Sequence, residues 1–322
     1  MALWLQVLVL LVGAFHAVAS FFFFSRGRRG IGWALAWLGL AVATAVVGGP
    51  VMLGVYAALV LAWHAWWLSL RPRLDRDWAD DLRYQATGEI VGGRLLVRHV
   101  RNFRWRSETD YDEVWETRSY DLEQLATLDL FACYWTSPAI AHLIVSFGFA
   151  EQGQLAFSIE IRRERGEPWS GVGGIFKVFE LVTIVADERD VVRVRTDVRG
   201  EDVRLYRLRS TPELRRRLLA AYIADCNRLA HTPRFFHTFF TNCTTQVVRL
   251  VRAAGQRLPL DWRMILSGYI PNYLHRVGLL ADRPNRPFMV LHTLAAISAQ
   301  ARAFGDGPGF SAAIREGVPA PE

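Results

Sequence analysis

A cysteine stands where a helix is expected to begin, in the stretch FFTNCTTQVVRLVRAAG that covers residues 239 to 255. Thr241 and Asn242 are residue types that cap helix N-termini, and Gly255 is a common helix stop. At that position Cys243 would face unpaired backbone N–H groups and the positive end of the helix dipole, which favour the thiolate. The pattern therefore predicts a nucleophile, with a small residue packed beside a cap as the alternative.

A thiol nucleophile needs a base, and His142 is the histidine that the sequence favours. It lies in the middle of the apolar stretch AIAHLIVSFGF, where a polar ring requires a partner. The rival histidines are His99, His231, His237 and His275. Of these, His237 is only six residues before Cys243 and is expected in the loop that leads into the helix.

The next strand-like stretch, QLAFSIEIRRE, supplies a third group. If the loop between the two strands is centred near Glu151, hairpin geometry places His142 opposite Glu160, and a slip of two residues would place Arg162 there instead. A carboxylate accepts the imidazole N–H and stabilises an imidazolium. The predicted catalytic group is therefore Cys243, His142 and Glu160. The alternatives are a core histidine bonded to a backbone carbonyl and a surface pair of Glu160 with Arg162.

Three stretches at the front of the chain contain no charged residue: 2–24, 31–49 and 51–70. Each is about long enough to cross a bilayer as a helix, and 52% hydrophobic residues with 12 Trp is high for a soluble protein. The first stretch lacks a basic N-terminal region and is followed closely by a second, so a retained span is favoured over a cleaved signal peptide. The sequence predicts a membrane-embedded protein.

Charge gives conflicting information about orientation. Arg26, Arg28 and Arg29 between the first two spans favour the cytoplasm, which would leave the C-terminal domain there too. Of the 38 basic residues, however, all but Lys177 are arginine. Arginine is thus favoured throughout the chain, so the three arginines between the spans are weaker evidence that this loop lies in the cytoplasm. Acidic residues interleave with the arginines, as in RLDRDWADD, so the basic balance does not indicate nucleic-acid binding.

The predicted organisation has four parts, which are three transmembrane helices over 1–70, a linker over 71–88, a domain over 89–285 and a C-terminal helix with a loose tail over 286–322. Within the domain, EIVGGRLLVRHV predicts a hairpin that turns at Gly92–Gly93, and FELVTIVADERDVVRVRT continues the strand-rich region. A helix capped by Ser210 or Thr211 then precedes the Cys243 helix. The expected class is α+β, an antiparallel sheet with packed helices.

The three cysteines, Cys133, Cys226 and Cys243, have no CxxC spacing, so neither a disulfide framework nor a zinc site is indicated. No metal and no cofactor is predicted.

A cysteine helix on a sheet that carries histidine and an acidic residue resembles the papain-like fold. Because the histidine strand here precedes the cysteine helix, the order resembles the permuted NlpC/P60-like branch. Residues 97–280 also resemble the bacterial Lnb N-terminal periplasmic domain family, named for lipoprotein N-acyltransferases. The resemblance is carried in order by VRNFRWRSETDYDEVWETRSYDL, SPAIAHLIVSFGF, LAFSIEIRRERGE, VADERDVVRVRT, RGEDVRLYRL and TNCTT.

This resemblance implies a periplasmic, membrane-associated domain with a Cys–His site at Cys243 and His142. The named acyltransferases are expected to continue into membrane helices after the domain, whereas the spans here come first. The loop RNFRWRSETDYD mixes donors and acids that suit a polar head group, and a salt-bridged turn is its alternative. The residues predicted to contact substrate are Tyr134, Trp135, Arg101, Asn102, Arg106 and Asn242.

The leading functional interpretation is a thiol-dependent acyltransferase, with inner-membrane lipids as partners and lipoproteins or cell-wall peptide as possible further ones. The multi-pass chain would lie in the bacterial inner membrane with its N-terminus in the cytoplasm and its soluble domain in the periplasm. Two alternatives stay open. The same three residues could cleave cell-wall peptide as an amidase or endopeptidase, or the fold could serve as a non-catalytic envelope scaffold.

Overall fold

The computed structural model describes residues 1–24, 28–280 and 286–320. Arg26, which bears on the predicted orientation, lies outside the described residues, as do 281–285 at the predicted end of the domain and the last two residues of the tail.

Three N-terminal helices are long and apolar enough to span a membrane: α1 (Leu3–Phe23), α2 (Arg28–Val47) and α3 (Pro50–Ser69). A side chain at Gly13 of α1 would place its Cβ 2.3 Å from the Ala41 Cβ of α2, so this glycine allows the two helices to approach closely. The Tyr56 hydroxyl of α3 donates to the Val9 carbonyl at 2.9 Å, which satisfies a buried polar group.

The chain divides into two compact units. The first contains residues 1–77 together with two later segments, 163–180 and 234–238. In the first of these segments the Phe176 ring lies 5.8 Å from that of Phe15, and the Lys177 ammonium donates to the Trp67 carbonyl at 3.0 Å near the end of α3. A cation at this position also complements the negative end of the helix dipole.

The second unit contains residues 78–162, 181–233 and 239–322. Its start falls inside the predicted linker over 71–88, because Trp78, Leu82 and Ala86 are buried side chains rather than linker residues. The linker prediction thus covers two different environments, and only residues up to Asp77 group with the membrane helices.

Among the described residues, ten strands form one large sheet and a small two-stranded ribbon. They are β1 (Thr87–Val91), β2 (Arg94–Arg101), β3 (Arg104–Trp105), β4 (Tyr111–Asp112), β5 (Trp115–Asp121), β6 (Leu125–Tyr134), β7 (Ala141–Phe149), β8 (Gly153–Arg162), β9 (Glu180–Ala186) and β10 (Asp202–Arg207).

The large sheet has the order β1-β2-β9-β8-β7-β6-β10, with β5 paired to β2, while β3 pairs with β4. The β1–β2 hairpin turns at Gly92 and Gly93, both with positive φ, which confirms the predicted turn. The α+β class is confirmed, but the sheet is mixed rather than purely antiparallel, because β2 and β9 run parallel. The segment between those two strands contains most of the sheet, so they are neighbours without a tight turn.

In the part of the chain that the structure describes, seven further helices follow the spans. They are α4 (Glu188–Arg193), α5 (Pro212–His231), α6 (Cys243–Ala253), α7 (Ile270–Arg276), α8 (Phe288–Leu294), α9 (Ser298–Phe304) and α10 (Phe310–Ala313). The predicted α5 is confirmed, with Thr211 as its cap accepting from the Leu214 N–H.

The stretch after β9 corrects a prediction, because ADERDVVRVRT is helical rather than strand-rich. Asp187 accepts a hydrogen bond from the Arg189 N–H and so caps α4. The helix then widens into a π-helical turn over Val194–Val198, a local geometry that occurs often at functional sites.

The tail predicted to be loose after about residue 305 is packed as far as the structure describes it. Phe310, Ile314 and Val318 are buried in a core that also contains strand residues such as Phe131. The Gly/Pro-rich composition that suggested looseness serves the turns between short helices, while the apolar residues between those turns pack against the sheet.

Candidate active site

Helix α6 begins at Cys243, and a capping box fixes its first turn. The Asn242 side-chain oxygen accepts from the Thr245 N–H at 2.9 Å, and the Thr245 hydroxyl oxygen accepts from the Asn242 N–H at the same distance. These two bonds hold the thiol at the helix start. The Asn242 side-chain oxygen thus serves the helix cap, and a contact of this residue with substrate stays a prediction.

The thiol reaches the sheet where the pairing of β7 with β8 ends. The last paired residues are Ile144 and Ser158, and beyond them the Leu143 N–H hydrogen-bonds to Cys243. The body of α6 lies over the face of β7 that carries Val145, since Val145, Val247 and Val251 line one apolar cavity. The helix start therefore meets the end of the sheet, next to His142.

His142 is positioned by strand register. The observed β7–β8 pairing, with Ile144 opposite Ser158, has the register from which His142 was predicted to lie opposite Glu160. The His142 Nε2 lies 2.7 Å from the Ser158 hydroxyl and 3.2 Å from the Glu160 Oε1. The Ser158 hydroxyl donates to that same carboxylate oxygen at 2.7 Å.

Cys243, His142 and Glu160 are thus brought together in the structure. The His142 ring interacts with both the Cys243 thiol and the Glu160 carboxylate. The roles predicted for the three residues, as nucleophile, base and orienting group, stay a prediction.

Arg195 completes the cluster and was not predicted. Its Nη2 donates to the Glu160 Oε1 at 2.8 Å, and its Nη1 lies 3.2 Å from the Glu201 carboxylate. The side chain is buried, and it projects from the π-helical turn after α4. In the sequence it appears within VVRVRT, where nothing distinguishes it from neighbouring surface arginines.

The electrostatics of the pair favour a thiolate and an imidazolium. Burial alone would raise the pKa of the Cys243 thiol, but the hydrogen bond from His142, its charge and the Leu143 N–H outweigh burial and lower the pKa. For His142, burial and the Arg195 charge oppose protonation. The Glu160 charge and the bonds to Cys243 and Glu160 outweigh them and raise the pKa to about 9.

Glu160 stays ionised within this cluster. Burial would raise the pKa of its carboxyl, but the charges of His142 and Arg195, with hydrogen bonds from His142 and Ser158, hold the pKa well below its usual range. A negative Glu160 is what an imidazolium at His142 requires.

The other two cysteines are in a different environment. Cys133 and Cys226 are buried, and burial raises the pKa of each thiol well above its ordinary value. Neither can supply a thiolate near neutral pH, so Cys243 is the reactive thiol among the three.

The loop that was predicted to bind a polar head group forms a salt-bridged turn, which was the alternative prediction. The Arg101 guanidinium is buried and forms a bidentate pair with Asp190 at 2.9 Å. The Asn102 amide donates to Glu116, and Arg106 pairs with Asp110 across an exposed turn. Carboxylates of the domain itself therefore pair with these three side chains, and their contact with a substrate stays a prediction.

Tyr134 and Trp135 follow the strand that pairs with the His142 strand, with Cys133 opposite His142. The Tyr134 hydroxyl donates to the Gly268 carbonyl at 2.9 Å, and Trp135 is 41% exposed. Both are near the histidine in register, and their contact with a substrate stays a prediction. Within residues 1–24, 28–280 and 286–320, no group of three His, Cys, Asp or Glu side chains could hold a metal ion.

One comparison with known proteins gives a match. Residues 111–268 match the profile of the Lnb N-terminal periplasmic domain. This part of the chain belongs to that family. The Lnb domain match includes all five clustered side chains: Cys243, His142, Glu160, Ser158 and Arg195. With three helices suited to spanning a membrane, it indicates a membrane protein with a periplasmic domain. No curated protein and no solved structure matches the chain.

Proposed function

We propose that the protein is an envelope acyltransferase that carries its acyl group on Cys243 as a thioester. The observation that supports this most directly is the helix-start thiol hydrogen-bonded to His142, whose ring is held in turn by Glu160. The proposed placement is the bacterial inner membrane, with the chain crossing three times and the Lnb domain in the periplasm. The order of strand and cysteine helix supports a permuted papain-like fold.

In the first half-reaction the Cys243 thiolate attacks the carbonyl carbon of a phospholipid ester. A C–S bond forms, and the carbonyl oxygen becomes an oxyanion. The backbone N–H groups at the start of α6 have no preceding turn to bond to and can stabilise that charge. When the oxyanion collapses, the ester C–O bond breaks and the His142 imidazolium gives its proton to the leaving alkoxide, which departs as a lysophospholipid.

In the second half-reaction an acceptor amine or hydroxyl attacks the thioester. Neutral His142 takes the acceptor's proton as the new C–N or C–O bond forms, and the C–S bond breaks. The thiolate and the imidazolium are then restored together. Glu160 orients the ring throughout and stabilises its positive form.

The test is direct. The full-length chain in lipid nanodiscs is incubated with phosphatidylethanolamine that carries a labelled acyl chain, and the protein is analysed for label. We expect an adduct on Cys243 that hydroxylamine removes at neutral pH, as a thioester requires. Cys243→Ala should abolish the label.

Cys226→Ala is the matched control, because it removes an equally free but buried thiol and should leave the adduct intact. Absence of label from the wild type, together with release of peptides from purified cell wall, would contradict acyl transfer and favour the amidase alternative. Absence of both activities would favour the scaffold.

A further inference from the structure

Large apolar side chains are exposed in the second unit close to the Cys243 helix. The set consists of Phe239, Phe240, Leu260, Trp262 and Ile265, and it is called the apolar rim below. Their exposure is high for such residues, with Leu260 at 86% and Ile265 at 75%. Clusters of exposed apolar side chains such as this one often mark an interaction surface.

Four residues of the apolar rim line a cleft of about 620 Å³ beside α6: Phe239, Leu260, Trp262 and Ile265. Thr245 and Val248 of α6 line the same cleft. Thr245 belongs to the capping box that fixes Cys243, so the cleft extends to the first turn of the nucleophile helix.

The loop that carries Leu260, Trp262 and Ile265 is held in place by hydrogen bonds and a ring contact. Asp261 accepts from the Arg263 N–H at 2.9 Å and from the Arg263 guanidinium at 3.0 Å, and the Trp262 ring packs edge-on against Tyr269. These contacts hold the loop while its apolar residues point outward.

The same loop is joined to the histidine strand. The Ala141 N–H, next to His142, donates to the Ser267 hydroxyl at 2.9 Å. Gly268 packs so closely on the turn before β7 that a Cβ there would lie 2.1 Å from the Pro138 carbonyl oxygen. The apolar rim is therefore fixed relative to the active site and not carried on an independent arm.

Charge indicates which partner fits this surface. Residues 239–278 contain five arginines and a single acidic residue, Asp261. Arg249 and Arg252 line the cleft beside the apolar rim. Aromatic and aliphatic side chains flanked by arginine are the composition of surfaces that enter the head-group region of anionic membranes. A protein partner would not require this excess of positive charge.

We propose that the apolar rim inserts into the outer leaflet of the membrane that holds the chain, and so delivers phospholipid ester groups to the cleft beside the Cys243 helix. The three spans keep a bilayer at high local concentration, so a small inserted surface suffices for docking. The delivery step depends on the acyl transfer proposed above, whereas the docking does not.

The docking is tested with a fluorescent label and needs no catalysis. Ile265→Cys in a Cys243→Ser background is labelled with bimane, and the full-length chain is placed in nanodiscs of phosphatidylethanolamine and phosphatidylglycerol with brominated acyl chains. Val91→Cys, 69% exposed at the β1–β2 turn, is the matched control. We expect bromine to quench the label at 265 and not at 91. Equal absence of quenching would overturn the proposal, as would a protein partner covering the apolar rim.

Delivery is tested with Leu260→Ser combined with Ile265→Ser in the chain that retains Cys243. Acylation from nanodisc lipid should fall about tenfold, since apolar area that anchors the cleft is lost. Alkylation of Cys243 by iodoacetamide should not change. Equal loss of both rates would contradict the proposal, because the loop would then act on the thiol itself. Ile90→Ser with Val91→Ser is the control and should change neither rate.

If label at 265 is quenched and no acyl adduct forms on any variant, docking stands and the proposed chemistry fails. If an adduct forms while the label stays unquenched, the chemistry stands and docking fails.

Discussion

Two buried clusters of charge in the same domain have similar components and different consequences. In one, Asp129 and Glu188 share Arg315, and Arg207 also pairs with Asp129. In the other, Glu160 is held by Arg195, Ser158 and His142. The first is called the closed cluster and the second the open cluster, because Glu160 retains 22% of its side-chain exposure while Asp129 retains none.

The two carboxylates titrate in opposite directions. Burial raises the pKa of Asp129 even though Arg315 and Arg207 oppose it, and Glu188 adds repulsion. The pKa of Glu160 is lowered because the charges of His142 and Arg195 outweigh burial. An arginine beside a carboxylate therefore does not by itself define a functional site. The open cluster differs in containing a group that changes its protonation state near physiological pH.

The largest effect is expected from breaking the closed cluster. Arg315→Met would leave Asp129 and Glu188 buried without their shared cation, which typically costs about 3–5 kcal/mol. We expect the free energy of unfolding in detergent to fall by that amount, measured by denaturant titration. Arg216→Met removes an exposed pair with Glu123 and should change it by less than about 1 kcal/mol. Similar small losses in both variants would show that the closed cluster contributes little to stability.

Breaking the open cluster should change reactivity instead. Glu160→Gln removes the charge that raises the pKa of His142, and a less positive His142 stabilises the thiolate less. The rate of Cys243 alkylation by iodoacetamide at pH 7 should fall by about 10- to 100-fold, because a smaller fraction of the thiol is ionised. Glu89→Gln at an exposed pair with Arg98 is the control. An unchanged rate in Glu160→Gln would remove the carboxylate from the proposed mechanism.

The pH dependence separates the two roles of His142. Alkylation needs only the thiolate, whereas acylation also needs the imidazolium to protonate the leaving group. Because the pKa of His142 is raised to about 9, acylation should decline above pH 9 while alkylation stays at its plateau. Both rates should fall together on the acid side as the thiol regains its proton. Parallel curves on the alkaline side would contradict the assignment of His142 as the acid.

The same raised pKa predicts how stability changes with pH. The folded-state pKa of His142 exceeds the ordinary value of 6.5, so its contribution is fully present below pH 6.5 and is lost as the pH rises towards 9. Glu160 has a lowered pKa, so its contribution is present above its ordinary range and is lost on acidification. In His142→Gln the loss of stability between pH 6.5 and 9 should be smaller than in the wild type, measured by unfolding at each pH.

The smallest effect is expected from Ser158→Ala. The hydroxyl links His142 to Glu160, but the direct contact of 3.2 Å between them would remain. A single neutral hydrogen bond contributes about 1 kcal/mol, so acylation should slow by less than about tenfold. The measurement is the rate constant for acylation. A loss as large as that of Glu160→Gln would mean that the Ser158 hydroxyl, and not the direct contact, couples His142 to Glu160.

The register of one hairpin was enough to predict the meeting of His142 and Glu160. The apolar alternation and the short loop near Glu151 leave little freedom in how β7 and β8 pair, and the observed register agrees. The start of α6 was equally legible, because Asn242 and Thr245 are cap-forming types at cap spacing. Local chemistry determines both features.

Arg195 and the place where Cys243 meets the sheet could not be predicted in this way. Arg195 reaches Glu160 because the chain widens into a π-helical turn, and no periodicity in VVRVRT indicates such a turn. Side-chain alternation places His142 and Val145 on opposite faces, and α6 lies over the face of Val145. The start of α6 reaches His142 beyond Ile144, where the pairing of β7 with β8 ends while its pairing with β6 continues to Ala141. The pair of Arg101 with Asp190 could not be predicted either, since Asp190 is distant in sequence.

The distance in sequence between Arg315 and its partners has a consequence for biosynthesis. Asp129 precedes Arg315 by 186 residues, and Glu188 precedes it by 127. Until residue 315 has been made, the two carboxylates have no shared counter-ion, and the core that receives Phe310 and Ile314 is incomplete. The domain can therefore complete its folding only after Arg315 has been translated, when its earlier segments are already tethered by the membrane helices. A message truncated before this codon would yield an inserted but unfinished protein, a natural target for envelope proteases.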